Sequence, residues 1–109
     1  MTEERVIEIF EEDKVGSYAE RANSGWEHMR SRLSFITDRP WLERNDLLVF
    51  LFIASLFPEK TGDIIVAAEH DHFWLDLRVE DLAKATEEDC HALRDMGVIY
   101  SNDGFMMFA

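Results

Sequence analysis

Apolar side chains in the first half of the chain recur every three or four positions, a spacing typical of amphipathic helices. This spacing predicts one helix over residues 3–14 and a second over residues 18–36, with Gly16-Ser17 between them. A third helix is predicted over about residues 41–57, and its second half is apolar on every face. A helix of that kind lies at the centre of a domain or is half-buried in a partner.

The pattern changes after Gly62, where short runs of β-branched and aromatic residues predict strands. The two runs are Ile64-Ile65-Val66 and Phe73-Trp74-Leu75. The polar stretch between them, Glu69-His70-Asp71-His72, is typical of a turn. We therefore expect these residues to form a β-hairpin.

Helical spacing returns over residues 79–96 and is followed by two more short apolar runs. Thr86-Glu87-Glu88-Asp89 resembles a capping box, which predicts that a new helix begins at Thr86, and Gly97 is placed to cap its end. Residues 98–100 and 105–108 are joined through an Asp-Gly pair, a strong turn signal, and predict a closing hairpin. The predicted class is α+β: N-terminal helices, then a unit of helix, strand, two helices and β-hairpin.

Composition supports one packed domain. The chain has 109 residues, of which 47% are hydrophobic, and it contains 8 Phe, 3 Trp and 2 Tyr. That is enough apolar surface for a core, which a disordered acidic chain lacks. We expect a single domain over residues 1–109, in which the helices of residues 1–40 pack on a core formed by residues 41–109.

The only cysteine is Cys90, so neither an internal disulfide nor a Cys-based zinc site is expected. This usage points to the reducing cytoplasm. The acidic N-terminal stretch lacks the basic start and apolar segment of a signal peptide. The longest apolar run, residues 47–57, is eleven residues long, whereas a membrane helix needs about 20. We expect a cytoplasmic protein without membrane contact.

From about Trp41 onward, the predicted order of helix, strand, helix, turn, helix and hairpin resembles the winged helix-turn-helix layout. In this resemblance, Thr86 to Met96 takes the place of the recognition helix and the closing hairpin that of the wing. DNA-reading winged helices carry Lys, Arg, Asn, Gln and Ser in both places. Here the helix has four acids and one Arg, and the wing offers Asp103 without Lys or Arg. The resemblance implies the fold, while the charge favours protein contacts over DNA.

Negative charge is concentrated at the two ends of the sequence. The chain has 23 Asp and Glu against 11 Lys and Arg, a formal net charge of −12. Residues 1–13 hold six acids and one base, and residues 59–109 hold twelve acids and four bases. The middle, residues 14–58, is nearly neutral, with five acids and six bases. The segment from Val79 to Asp95 has six acids and two bases. Such a surface repels a phosphate backbone and attracts proteins that bind one. The alternative is that the acidic surface only keeps the protein soluble. Because the acids are grouped rather than dispersed, we favour a role in binding.

No catalytic or cofactor motif stands out, and we expect neither an enzyme nor a bound cofactor. His70 and His72 form the one metal-like cluster with their acidic neighbours. A metal site needs three or four converging ligands, so a polar turn is favoured over a metal site. Cys90 lies beside His91 near a predicted helix start, where a thiol pKa can be lowered. Because Cys90 falls on the apolar stripe, a buried structural role is favoured.

Two further groups of residues have open interpretations. The C-terminal run Phe105-Met106-Met107-Phe108 is apolar on both faces of a predicted strand. It is either buried on both sides or offered to a partner, for which Met-rich surface is well suited. The arginines of the neutral middle are expected to pair with the terminal acids and to hold residues 1–13 against the body; they are Arg30, Arg32, Arg39 and Arg44.

These features favour a non-catalytic acidic interaction protein that binds a basic nucleic-acid-binding protein and blocks it. In length and charge, the chain resembles the acidic DNA-mimic inhibitors that phages use against restriction or CRISPR systems. Carboxylates would stand in for phosphates, and the apolar C-terminal strand would add contact area. The alternative is a winged-helix regulatory or scaffold subunit, expected as a dimer, that acts in transcription control through protein contacts. The candidate partner-binding residues are Glu80, Asp81, Glu87, Glu88, Asp89, Asp95, Asp103, Phe105 and Met107.

Overall fold

Three helices form the N-terminal part of the chain in the computed structural model, which describes residues 1–13, 16–33, 44–102 and 104–108. Helix α1 spans Glu3–Glu11, α2 spans Tyr18–Arg32 and α3 spans Asn45–Leu56. The Thr2 side chain caps α1, and a capping box between Ser17 and Glu20 starts α2. The three predicted helices are therefore present. The predicted ends at residues 14, 36 and 41 lie outside the described residues.

The C-terminal part is an antiparallel sheet interrupted by two helices. Strands β1 (Ile65–Ala68) and β2 (His72–Leu75) form the first predicted hairpin. Helices α4 (Val79–Leu82) and α5 (Glu87–Asp95) follow, and then strands β3 (Ile99–Ser101) and β4 (Gly104–Phe108). The strand order is β1-β2-β4-β3, so the second hairpin adds to the sheet through β4. The fold is α+β, with N-terminal helices before a four-stranded antiparallel sheet that has helices between its strands.

The segment with helical spacing over residues 79–96 is divided into α4 and α5, and α5 begins after Thr86, as predicted. Thr86 caps α5 through a complete capping box with Asp89, as the sequence pattern predicted. Gly97 follows the end of α5 with φ of 103°, a left-handed conformation that suits a glycine C-cap. Both ends of α5 were therefore predictable from local sequence.

The closing hairpin differs in detail from its prediction. Ser101 pairs directly with Gly104, and Asn102 has φ of 50°. The turn therefore begins at Asn102, and Gly104 is already part of β4 rather than of the turn. A β-carbon at Gly104 would lie 3.3 Å from the ring of Trp74, so close packing against this ring favours glycine here.

One apolar core joins all of these elements except β1, whose four residues are exposed. Helix α3 contributes Leu48, Val49, Phe52 and Ile53, and its apolar character follows from this central place. Among the described residues, no helix is both long and apolar enough to cross a bilayer. The largest fully buried side chains are Phe52, Phe105, Ile9, Met29, Leu33, Leu48, Leu82 and Leu93.

Candidate acidic interaction surface

Helix α1 packs against α4, α5 and β3, and so brings the two acidic ends of the sequence together. Val6 and Ile9 of α1 are completely buried in the core. Arg94 of α5 donates from Nη1 to the carbonyl of Ile9 at 3.0 Å and lies 3.6 Å from a carboxylate oxygen of Glu12. Residues 1–13 are therefore fixed to the C-terminal unit by apolar burial and by an arginine of α5.

A single arginine lies between three carboxylates at the junction of α1 and α5. Arg5 contacts Glu87 at 2.5 Å, Glu12 at 2.7 Å and Glu8 at 3.3 Å. The hydrogen bond to Glu87, followed by that to Glu12, raises the pKa of Arg5 above its ordinary value. Glu12 is also near Arg94, which in turn contacts Asp95 at 3.2 Å. The acidic cluster, defined as Arg5, Glu8, Glu12 and Glu87, has three carboxylates and one guanidinium and therefore keeps a net negative charge.

Glu80 and Glu88 lie on α4 and α5 with exposed side chains. Neither forms an ion pair with any residue that the structure describes. Glu80 and Glu3 line the same shallow recess, between α1 and the start of α4. Glu88 lines a groove between α2 and α5. These two predicted site residues are available to a partner together with the acidic cluster.

Two other predicted site residues point their carboxylates at neighbouring groups of the fold. Asp81 contacts the ammonium of Lys60 at 2.6 Å and accepts a hydrogen bond from the backbone N–H of Arg78 at 2.9 Å. Asp95 contacts the guanidinium of Arg94 at 3.2 Å. Both side chains are mostly buried, so their charges are already compensated within the protein.

Asp89 is buried, with 1% of its surface exposed, and is the N3 residue of the α5 capping box. Its carboxylate lies 2.8 Å from His28 Nε2 and 3.4 Å from Arg32 Nη1, and it accepts from the Thr86 N–H at 3.2 Å. Burial raises the pKa of Asp89, but the hydrogen bonds from His28 and Thr86 outweigh it, so the pKa lies below its ordinary value. The prediction that Asp89 contacts a partner is wrong, because its carboxylate is enclosed between α2 and α5.

The predicted apolar contact surface of the last strand is also corrected by burial. Phe105 is fully buried, with its ring 4.9 Å from that of Phe10 and 5.3 Å from that of Tyr100. Met107 is buried on the same face of β4. Both belong to the apolar core, where Phe10 of α1 packs on Phe105, whereas Phe108 at the end of the strand is exposed. Asp103, the remaining predicted site residue, lies outside the described residues.

Helix α5, the segment that the winged-helix resemblance equates with a recognition helix, is covered on two sides. It packs against α1 and, more extensively, against α2. The approach to α2 is close at Gly25, where a β-carbon would lie 2.8 Å from Met96 Cγ and 3.0 Å from the Ala92 carbonyl oxygen. This covering, together with the charge, leaves α5 unsuited to insertion into a DNA groove.

The other candidate chemistry takes structural roles. Cys90 is fully buried, and burial, with a smaller effect of the nearby Asp89 charge, raises the pKa of its thiol to about 12. His72 has Asp71 at 2.8 Å from Nδ1 and Glu69 at 3.4 Å from Nε2. The hydrogen bond from His72 lowers the pKa of Asp71. Within the described ranges, no group of three or more His, Cys, Asp or Glu side chains is arranged to hold a metal ion.

One of the middle arginines, Arg32, pairs with an acid of the C-terminal segment, as predicted, but this pair does not involve residues 1–13. Arg32 contacts Asp89 of α5 rather than an N-terminal acid, and Arg30 lies over the ring of Trp26 at 4.5 Å. Arg39 lies outside the described residues, and Arg44 immediately precedes α3. Arg5 and Arg94 both engage N-terminal acids.

Sequence reasoning also missed the side chains that contact the acids of α4 and α5. Arg5 precedes Glu8 by three residues, a helical spacing that could have indicated their ion pair. Lys60 and His28 carry no local signal of this kind, because they lie 21 and 61 residues from their acidic partners.

Comparison with known proteins adds no relative: no family model matches the sequence, and neither curated proteins nor solved structures give a match.

Proposed function

We propose that this is a non-catalytic acidic interaction protein that binds the basic surface of a nucleic-acid-binding protein and blocks it. The observation that carries this proposal is the packing of α1 on α4 and α5, which gathers acids from both ends of the sequence around one cation, Arg5. The exposed carboxylates of Glu80 and Glu88 extend the negative surface along α4 and α5.

The contacting groups would be carboxylates that take the places of phosphates. Lys and Arg of a nucleic-acid-binding surface form charge-assisted hydrogen bonds with either group. The acidic cluster contributes Glu8, Glu12 and Glu87, which remain between about one third and two thirds exposed despite their contacts with Arg5. A partner arginine or lysine would share these carboxylates with Arg5, and complementary charge would speed association.

An inhibitor of restriction or CRISPR nucleases is the specific role that we propose, since the chain resembles such inhibitors in length and charge. The proposal concerns a protein partner, and direct nucleic-acid binding is not expected. The negative surface and the covering of α5 by α1 and α2 both support this.

The test is capture of partners from a host lysate on the immobilised protein, followed by elution in salt steps. We expect a nucleic-acid-binding complex to elute at intermediate salt, because exposed charge pairs are screened. Glu88→Lys should weaken the capture. The matched control is Glu27→Lys, which makes the same charge change at an exposed position of α2. Glu27 lies on the side of α2 away from the buried Gly25, because two residues turn a helix by about 200°. Capture that changes neither with salt nor with Glu88→Lys would contradict binding through the acidic surface.

The second candidate function is a winged-helix-like regulatory or scaffold subunit that acts through protein contacts, as a homodimer or with another chain. It is supported by the succession of α4, α5 and the β3–β4 hairpin, and by the pairing of β2 with β4. A band-shift assay with mixed-sequence DNA separates the two candidates. Binding of DNA at moderate salt would favour this alternative over the acidic mimic.

A further inference from the structure

Strand β1 is an end strand of the sheet, and its four residues, Ile65–Ala68, are all exposed. The exposed fractions of Ile65 and Val66 are 40% and 59%. Among the strands that the structure describes, β2 lies on one side of β1 and none lies on the other. Helix α1 packs near β3, at the opposite end of the sheet, so the free edge of β1 is separate from the acidic cluster.

A free strand edge presents backbone N–H and C=O groups to any extended segment that can pair with it. Proteins commonly protect such an edge with lysine, proline or a bulge. Strand β1 has the sequence Ile-Val-Ala-Ala, with neither lysine nor proline, and has one irregularity between Ile65 and Ala67. Apart from this irregularity, the edge is open to strand addition.

A recess lies next to the N-terminal end of β1, where the residues that precede the strand line it. It has a volume of about 240 Å³, and its apolar walls include Ile53, Phe57 and Ile64. Asp63, the residue before Ile64, also lines it. The recess is therefore suited to one apolar or long aliphatic side chain of a segment that pairs with β1.

Charge decides which kind of segment fits. Asp63 precedes the strand, and Glu69 and Asp71 follow it, all with exposed side chains. The nearest cation in sequence, Lys60, is engaged by Asp81 at 2.6 Å. A second copy of the chain would bring its own acids and its net charge of −12 to this edge, which opposes self-association.

We infer that the free edge of β1 binds an extended segment of a partner protein that carries Lys or Arg among apolar residues, with one apolar side chain in the adjacent recess. The basic character of the partner rests on the proposed function. The acids at the two ends of β1 pair with the basic residues of the segment, while backbone hydrogen bonds provide most of the contact.

The probe is a fluorescein-labelled eight-residue peptide of alternating Lys and Val, and the comparison peptide alternates Glu and Val. Fluorescence anisotropy should show binding of the Lys-Val peptide only. The double variant Ile65→Asn/Val66→Asn should weaken binding by roughly tenfold, because the edge loses its apolar contacts. Phe108→Asn is the matched control, since Phe108 is 60% exposed in the same sheet but outside this edge. It should leave the affinity unchanged.

The position of binding is read from backbone amide chemical shifts in NMR spectra. Shifts are expected at residues 63–75 and at the recess residues Ile53 and Phe57. Shifts at Glu8, Glu12 and Glu87 instead, or equal loss of affinity in the Phe108→Asn control, would overturn the inference. A dimer that forms without peptide and is lost in Ile65→Asn/Val66→Asn would also overturn it, because the occupant would then be a second copy.

The two proposals fail separately. Glu88→Lys should leave binding of the Lys-Val peptide unchanged, since Glu88 lies on α5 and not at the β1 edge. If the edge variant binds the peptide normally while Glu88→Lys abolishes capture of the partner, this inference is wrong and the proposed function stands. If Glu88→Lys leaves capture intact and the edge variant abolishes it, the acidic surface is not the contact.

Discussion

Single acids of α4 and α5 differ in what their carboxylates contact. Asp81 contacts Lys60 and accepts from the backbone N–H of Arg78, whereas Asp89 contacts His28 and completes the α5 capping box. Glu80 and Glu88 are exposed and have no ion pair with a described residue. The first pair therefore stabilises the fold, and the second pair is available for binding. Net charge alone did not separate these roles, because all four residues look alike in composition.

Replacing Asp89 by alanine should destabilise the protein by about 2–3 kcal/mol, because the Thr86 N–H loses its acceptor in the capping box and the side chain of His28 loses a buried partner. Urea unfolding followed by circular dichroism measures this change. Glu88→Ala is the control, since an exposed substitution should change stability by no more than about 0.5 kcal/mol. Equal stability of the two variants would contradict the role given to Asp89.

Stability should also depend on pH through Asp89. Its pKa is lowered in the folded protein from the ordinary value of 3.8, so its contribution is complete above that value. The contribution is lost as the pH falls through the lower, folded pKa. The stability difference between the wild type and Asp89→Asn should therefore be constant at neutral pH and shrink in acid, when urea midpoints are compared from pH 7 to about pH 2.5. A stability difference that grows in acid would contradict a lowered pKa of Asp89 in the folded protein.

Helices and hairpins were predictable from sequence where local patterns determine them. Short local signals mark the ends of helices here: the capping boxes that begin at Ser17 and Thr86, and the left-handed glycine Gly97. The pairing of β2 with β4 and the packing of α1 on α5 were not predictable, because they join residues far apart in the chain. Arg5 and Glu87, for example, are 82 residues apart. The sequence shows that both ends of the chain are acidic, but it does not show that they pack together.

The packing of α2 on α5 gives a prediction at Gly25. Helix propensity alone favours alanine over glycine by about 1 kcal/mol. A β-carbon here would lie 2.8 Å from Met96 Cγ and 3.0 Å from the Ala92 carbonyl oxygen, so α2 and α5 would have to separate. Gly25→Ala should therefore destabilise the protein by about 1–3 kcal/mol.

The control for this variant is Asn23→Ala, an exposed position in the same helix. It should gain a few tenths of a kcal/mol from propensity. Thermal unfolding of both variants is the measurement. A melting temperature of Gly25→Ala above that of the wild type would show that α2 and α5 do not pack closely.

The whole molecule presents two different surfaces at the two ends of its sheet. The end with β3 carries α1 and the acidic cluster, while the end with β1 has an exposed apolar edge flanked by Asp63 and Glu69. Most of the core, including Phe105 and Met107, lies between these surfaces and is unavailable to a partner. The acidic character of the candidate site stays a prediction. The burial of Asp89, Phe105 and Met107 could not be read from the sequence, because it depends on how distant elements pack together.

Displacement of nucleic acid from the captured partner is the most direct measurement of the central claim. A labelled nucleic acid bound to the purified partner is titrated with the protein, and fluorescence anisotropy reports its release. We expect release by the wild type and by Glu27→Lys at moderate salt, and much weaker release by the double variant Glu80→Lys/Glu88→Lys. A stable complex of partner, nucleic acid and protein together, or equal release by the double variant, would contradict the account.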